Sequence, residues 1–218
     1  MNSIKNILKK LFNLEINKVI GILIVGQTLV VIAEGFLSPI FAIFVVQKIS
    51  PGDMQVVGFA IAIYWLVKSI IQIPLSRYLD KTKGENDDLL SMLLGVFLFV
   101  LAPLLYIFIR DKYELYAVQV LMAFAGSLFV IPWLSIFTRH LDTFRIGFEW
   151  SLHSSSMGFG MVLAAALGGY LAQKAGFNVV FIISSAFYLT AGITLTLLYK
   201  FVVQKNHLAK VFPETIKK

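Results

Sequence analysis

The sequence contains no cysteine, which excludes disulfide bridges, thiolate metal ligands and a cysteine nucleophile. Histidine is nearly as scarce. The three present, His140, His153 and His207, show no paired ligand spacing such as H-E-x-x-H, so no metal centre is expected. No G-x-S-x-G elbow, phosphate-binding loop or dinucleotide fingerprint occurs either. An intramembrane serine protease also falls away, because the last apolar segment holds no histidine to activate a serine. The chain is therefore expected not to be an enzyme and to use no cofactor. Charge is the third shortage: 14% of residues are charged against 58% hydrophobic, a balance outside the range of soluble domains. The net charge of +7 does not indicate nucleic acid, since Lys and Arg form no stripe on a soluble face and no aromatic-basic binding motif appears.

What remains is a series of apolar runs, each near the roughly 20 residues that a helix needs to cross about 30 Å of hydrocarbon. Six spans are read, at residues 19–46, 56–76, 89–109, 115–137, 151–172 and 179–199. Residues 18–200 thus form an all-α, polytopic bundle of six transmembrane helices with membrane lipid as its solvent. Ahead of the bundle, residues 1–17 place Ile4, Ile7, Leu8, Leu11 and Phe12 at helical spacing with Lys5, Lys9 and Lys10 on other faces. That is the pattern of a helix lying in the membrane interface. A cleaved signal peptide is the rival reading, but the first apolar segment is too long and no small-residue cleavage site follows it. Residues 201–218 form a basic tail.

Orientation follows from lysine and arginine, which resist translocation when they flank a span. One side carries Lys5, Lys9, Lys10, Lys18, Arg77, Lys81, Lys83, Arg139, Arg145, Lys200, Lys205, Lys210, Lys217 and Lys218. The other carries Lys48, Arg110, Lys112 and Lys174. Both termini are therefore expected in the cytoplasm and the bundle in the plasma (inner) membrane, as an even number of spans requires of the two ends.

Two charges fall inside spans, Glu34 and Lys68. Each would cost roughly 2.5–3.5 kcal/mol if it faced lipid at the helix centre. Both lie near mid-membrane on consecutive antiparallel helices, so an ion pair is geometrically open to them. Glu34 shares a helical face with Gln27, Val31 and Ser38, and Lys68 lies with Tyr64 and Gln72, so two polar stripes can face a common interior. The third span is almost entirely Leu, Phe and Val, and reads as a greasy outer helix. The first and fourth spans each carry a glutamine, Gln27 and Gln119, and a proline, Pro39 and Pro132, which fits a three-plus-three inverted repeat but also chance, proline being common in transmembrane helices. A solute or ion site at Glu34, Lys68, Gln27, Gln72 and Gln119 is expected. A plainer explanation is a buried pair that fixes two helices. Glu149, Trp150 and His153 form another polar group, with Trp150 read as an interfacial anchor and His153 as a hydrogen-bonded structural residue.

Two segments carry a family resemblance. After the second span, Ser76-Arg77-Tyr78-Leu79-Asp80-Lys81-Thr82-Lys83-Gly84 places a small residue four positions before an acid that basic residues and a glycine follow. It resembles the loop signature of the major facilitator superfamily, with Ser76 in place of the usual glycine and Lys83-Gly84 in reversed order. The fifth span, Gly160-Met161-Val162-Leu163-Ala164-Ala165-Ala166-Leu167-Gly168-Gly169, is similar to that superfamily's glycine-rich antiporter motif at Gly160, Gly168 and Gly169. Ala164 and Ala165 stand where a glycine and a proline are usual. Small residues at these spacings also let helices pack closely, and packing is the reading preferred for them. The family's arginine within the fourth span is missing.

The resemblance implies half of a twelve-helix transporter, similar to the amino-terminal half, working by alternating access on a small-molecule solute. Proton coupling is one implied mode. It implies that Asp80 is a gating carboxylate near Ser76 and Lys81, with Arg77, Arg139 or Arg145 as partners. One bundle supplies one wall of such a cavity, so a homodimer or a second six-helix half is expected. The alternatives are a non-transporting membrane partner or assembly protein, or a truncated half of a twelve-helix transporter.

Overall fold

The computed structural model describes residues 16–81 and 84–201, and every regular element among them is helical. The interfacial helix expected at residues 1–17 and the basic tail at 201–218 lie almost wholly outside the described residues. Six helices follow one another: α1 Lys18–Phe44, α2 Met54–Leu79, α3 Asn86–Leu105, α4 Lys112–His140, α5 Ile146–Ala175 and α6 Phe177–Thr196. A five-residue π-helical turn, Val45–Ile49, continues α1. Each of the six is long and apolar enough to cross a membrane.

Short side chains start these helices where the sequence supplies them. The Asn17 side chain accepts from the Val19 N–H at 3.0 Å, and Asp53 accepts from Gln55 N–H at 3.0 Å. Asp111 accepts from both Tyr113 and Glu114 N–H, at 2.7 and 3.0 Å. Each satisfies donors that a helix leaves orphaned in its first turn. Between α5 and α6 the chain turns on one residue, Gly176, at φ +86°, a backbone conformation that a side chain resists.

The helices pair selectively. α1 packs against α5 and α6, α4 packs against α2 and α3, and α3 meets α6. Exchanging α1 with α4, α2 with α5 and α3 with α6 leaves these five pairings unchanged, as a three-plus-three repeat requires, while a weaker α5–α6 contact has no α2–α3 counterpart of similar extent. Glycines set two close approaches of backbone to backbone. A Cβ on Gly168 of α5 would stand 2.7 Å from the Phe36 carbonyl oxygen of α1. One on Gly95 of α3 would stand 2.7 Å from the Phe129 nitrogen and 2.8 Å from the Ala125 oxygen of α4. Gly160 extends the α1–α5 contact, since a Cβ there would lie 3.0 Å from Ile32. Gly169 does not take part: it is exposed, with nothing within 4 Å of its Cβ position.

Serine and tryptophan side chains add cross-helix hydrogen bonds to backbone carbonyls. Ser184 donates to Ala33 O at 3.1 Å, Ser185 to Val100 O at 2.7 Å and Ser91 to Leu128 O at 3.1 Å. Trp133 donates from Nε1 to Leu23 O at 3.2 Å. Such bonds satisfy polar groups where lipid offers no partner. An aromatic stack of Phe99 on Tyr188, with ring centroids 4.9 Å apart, fills the space where α3 meets α6.

The third span is not the outermost helix. α3 buries Leu89, Met92, Val96 and Phe99 between α4 and α6, whereas α2 buries only Val56, Ala60 and Leu79. The reason is geometric: apart from a small contact with the π-helical turn after α1, α2 leans on α4, so Phe59, Leu66, Ile70 and Ile73 are left facing outward. A uniformly apolar composition suits a helix wedged between two others as well as one facing lipid.

If backbone contact at glycine holds the bundle, Gly168→Val and Gly95→Val will each destabilise the purified protein by about 1–3 kcal/mol, as overpacking does. Gly169→Val will stay within about 0.5 kcal/mol. Thermal unfolding in detergent reads all three.

Candidate functional site

α1 and α2 follow one another in sequence but scarcely touch. A cavity of about 440 Å³ lies between them, with further walls from α4, α6 and the turn after α3. From α1 come Gln27, Glu34 and Phe41, seven residues apart and so on one helical face. Tyr64, Trp65 and Lys68 line it from α2, Gln119 and Met122 from α4, and Phe181 and Tyr188 from α6. Tyr106, one residue past the end of α3, completes the wall and accepts a 3.3 Å hydrogen bond from Gln119 Nε2.

The two intramembrane charges therefore meet the same space but not each other. Lys68 Nζ donates to the Tyr64 hydroxyl at 3.2 Å and stands 5.0 Å from the centre of the Trp65 ring and 5.3 Å from that of Tyr64, both within cation–π range. Gly126 of α4 makes room for this arrangement, because a Cβ there would lie 3.1 Å from the Tyr64 hydroxyl and 3.6 Å from Lys68 Nζ. Glu34 is half-buried and, among the described residues, its carboxylate closes no hydrogen bond and no ion pair. The ion pair open to Glu34 and Lys68 on sequence grounds is not formed, because the helices that carry them diverge around the cavity.

Of the five residues expected at a solute site, Gln27, Glu34, Lys68 and Gln119 line the cavity and Gln72 does not. Gln72 lies one turn beyond Lys68 and is half-buried outside the lining. Tyr106, Tyr188, Phe41 and Phe181 were not anticipated, since an aromatic residue in an apolar span reads alike whether it faces lipid, core or cavity.

A second pocket, about 690 Å³, opens at the end of the bundle where α1, α3 and α5 finish. Lys48, Arg110, Gln47 and the start of α6 line it. Tyr106 belongs to both linings and so forms part of the partition between the two spaces.

At the opposite end, where α1, α3 and α5 begin, the charges are arranged differently from the expectation for a gating loop. Ser76 donates from Oγ to the Ile73 carbonyl within α2, and Asp80 caps that helix, with Arg77, Asp80 and Lys81 exposed. Arg139, at the end of α4, pairs with Asp88 of α3 at 2.5 Å and with Glu85 at 3.8 Å. Asp88, not Asp80, is thus the acid that Arg139 engages, and its side chain is 1% exposed. Arg145 caps α5, its backbone N–H donating to Asp142 O at 2.9 Å. Glu149, also buried, accepts from the Asp142 N–H at 3.1 Å. His153 differs from its expected role: Nε2 has no hydrogen-bond partner, and the ring packs 4.5 Å from Trp133 and 5.5 Å from Phe137. Aromatic stacking, not hydrogen bonding at that nitrogen, holds it.

Removing Arg139 leaves Asp88 buried without its partner. Arg139→Ala is expected to lower stability by about 1–3 kcal/mol, and adding Asp88→Asn to restore part of that loss. Asp80→Asn will stay within about 0.5 kcal/mol. Additive losses in the double variant, measured by thermal unfolding, would contradict the pairing.

Residues 23–217 match the family model described as Major Facilitator Superfamily. No curated protein matches the sequence. In fold the chain is similar to the POT family transporter PepTSo, known from an in meso crystal structure, with a TM-score of 0.72 at 13% sequence identity. The likeness covers 86% of this chain and 38% of that one, so the chain spans well under half the length of the solved transporter, and at such identity it bears on fold alone.

Proposed function

The chain belongs to the Major Facilitator Superfamily, and we propose that it forms one wall of a secondary transporter that carries a small solute through the cavity holding Glu34 and Lys68. The observation that carries this reading is the placement of those two charges. Ionisable groups in a membrane interior are expensive, and they survive where they face a solute path or each other. Here both line one cavity without forming an ion pair, Lys68 donating to Tyr64 instead. A second six-helix bundle closes the open side, supplied first of all by an identical copy, with α2 and α5 presenting the least buried apolar faces for it. The two bundles rock about the cavity, exposing it to each side of the plasma membrane in turn, as alternating access requires.

In this reading the start of α1 and the end of α6 both face the cytoplasm, as the distribution of Lys and Arg favours. Glu34 is the group that takes up a coupling proton. Lys68, held over Trp65 by Tyr64, biases its charge state across the cavity.

The test is solute-driven proton movement in proteoliposomes, read with an internal pH dye, alongside cross-linking to define the oligomer. The wild-type chain will acidify the lumen with its solute, whereas Glu34→Gln and Lys68→Ala will each lose at least tenfold in rate while remaining folded and inserted. Wild-type rates in both variants would remove these residues from the transport path.

A further inference from the structure

The two cavity charges also restrict what the cavity holds. We infer that its solute is a small zwitterion, an ammonium and a carboxylate carried on an apolar or aromatic body; this rests on the cavity being the solute site.

Each of the two groups keeps bonding capacity that the protein does not use. Glu34 offers a carboxylate with no described partner, and Lys68, which donates to Tyr64, has further N–H groups to give. The cavity lies within a bundle of low polarity, where an unmatched charge interacts strongly and a matched one is stabilised. A cationic solute would satisfy Glu34 but meet Lys68 with the same sign. An anionic solute would satisfy Lys68 but meet Glu34. An uncharged solute would leave each group facing only the other across the cavity, without a counter-charge in contact. A zwitterion alone satisfies both, and it adds no net charge to the path.

The remainder of the wall defines the body that joins the two charges. Phe41, Trp65 and Phe181 give apolar and aromatic surface, and Gln27 adds an amide. Space of about 440 Å³ on this side falls within the range of sites for small organic ligands. An amino acid with a large apolar side chain, or a dipeptide containing one, meets these requirements in charge, shape and size.

Four probes separate the possibilities: L-phenylalanine, phenylalanyl-alanine, phenethylamine, which lacks the carboxylate, and 3-phenylpropionate, which lacks the ammonium. Equilibrium binding of each radiolabelled probe is measured on the full chain in lipid nanodiscs, where no transport is needed. At least one zwitterion will bind tenfold or more tightly than both singly charged analogues. Glu34→Gln will narrow the gap between the zwitterion and the anion, and Lys68→Gln the gap between the zwitterion and the cation. A merely structural pair would weaken all four probes alike. Equal or tighter binding of a singly charged analogue, an equal loss for all probes in both variants, or no binding of any probe overturns the inference. Zwitterion binding without transport would leave the inference standing and overturn the transport reading, whereas transport of a solute of another charge class would do the reverse.

Discussion

Direct contact between helix backbones is the constraint on which the rest of the bundle depends. Lipid tails are as apolar as leucine side chains, so burial from water does little to press one membrane helix against another. Association rests on van der Waals contact and on polar groups that find partners inside the protein. Gly168 over the Phe36 carbonyl ties α5 to α1, and Gly95 against Phe129 and Ala125 ties α3 to α4. Under the exchange of one three-helix unit for the other, these contacts belong to the set of pairings that maps onto itself. With α1 committed to α5 and α6, and α4 to α2 and α3, little of α1 is left to meet α2. The cavity is the space that this pairing leaves over.

Electrostatics follows from that geometry. At the end where α1, α3 and α5 begin, acids and bases come close enough to pair: Arg139 reaches Asp88 and Glu85, and His140 stands 3.5 Å from Glu85. These contacts tie the end of α4 to the start of α3. In the middle the same chain holds Glu34 and Lys68 apart, and Lys68 is held in place by a tyrosine hydroxyl and two aromatic faces instead of by a carboxylate. One end pairs its charges across α3 and α4, while in the centre Glu34 and Lys68 face the cavity without pairing. Tyr106 divides that centre from the pocket lined by Lys48 and Arg110 at the other end.

The sequence made some of this legible and hid the rest for physical reasons. Span number and approximate extent are readable because crossing hydrocarbon sets a minimum apolar length. Glu34 and Lys68 stand out because charge is rare in such runs. Gly160 and Gly168 are readable as packing residues from their spacing, but Gly169 is not separable from Gly168 by composition. One residue along a helix is a turn of about 100°, enough to move it from contact to exposure. Gln72 shares a stripe with Lys68 by periodicity, yet the cavity ends before it does. Asp88 lies among acids that look like loop, and its partner Arg139 is 51 residues away, a relation that only the pairing of α3 with α4 creates. The aromatic wall is invisible in the same way, because Tyr106, Phe181 and Tyr188 are ordinary members of apolar segments until neighbouring helices turn them inward.

Glu34 and Lys68 face one cavity while remaining too far apart to pair. The absence of native cysteine allows this to be measured directly in membranes with the double variant Glu34→Cys/Lys68→Cys. A direct disulfide needs Cα atoms about 4.4–6.8 Å apart. Mild oxidation is expected to leave the two thiols free, whereas a bifunctional thiol reagent with a short spacer bridges them within one chain. Spontaneous disulfide formation would show a closed pair with no cavity between its members, and failure of every spacer length would show that the two side chains do not face a common space.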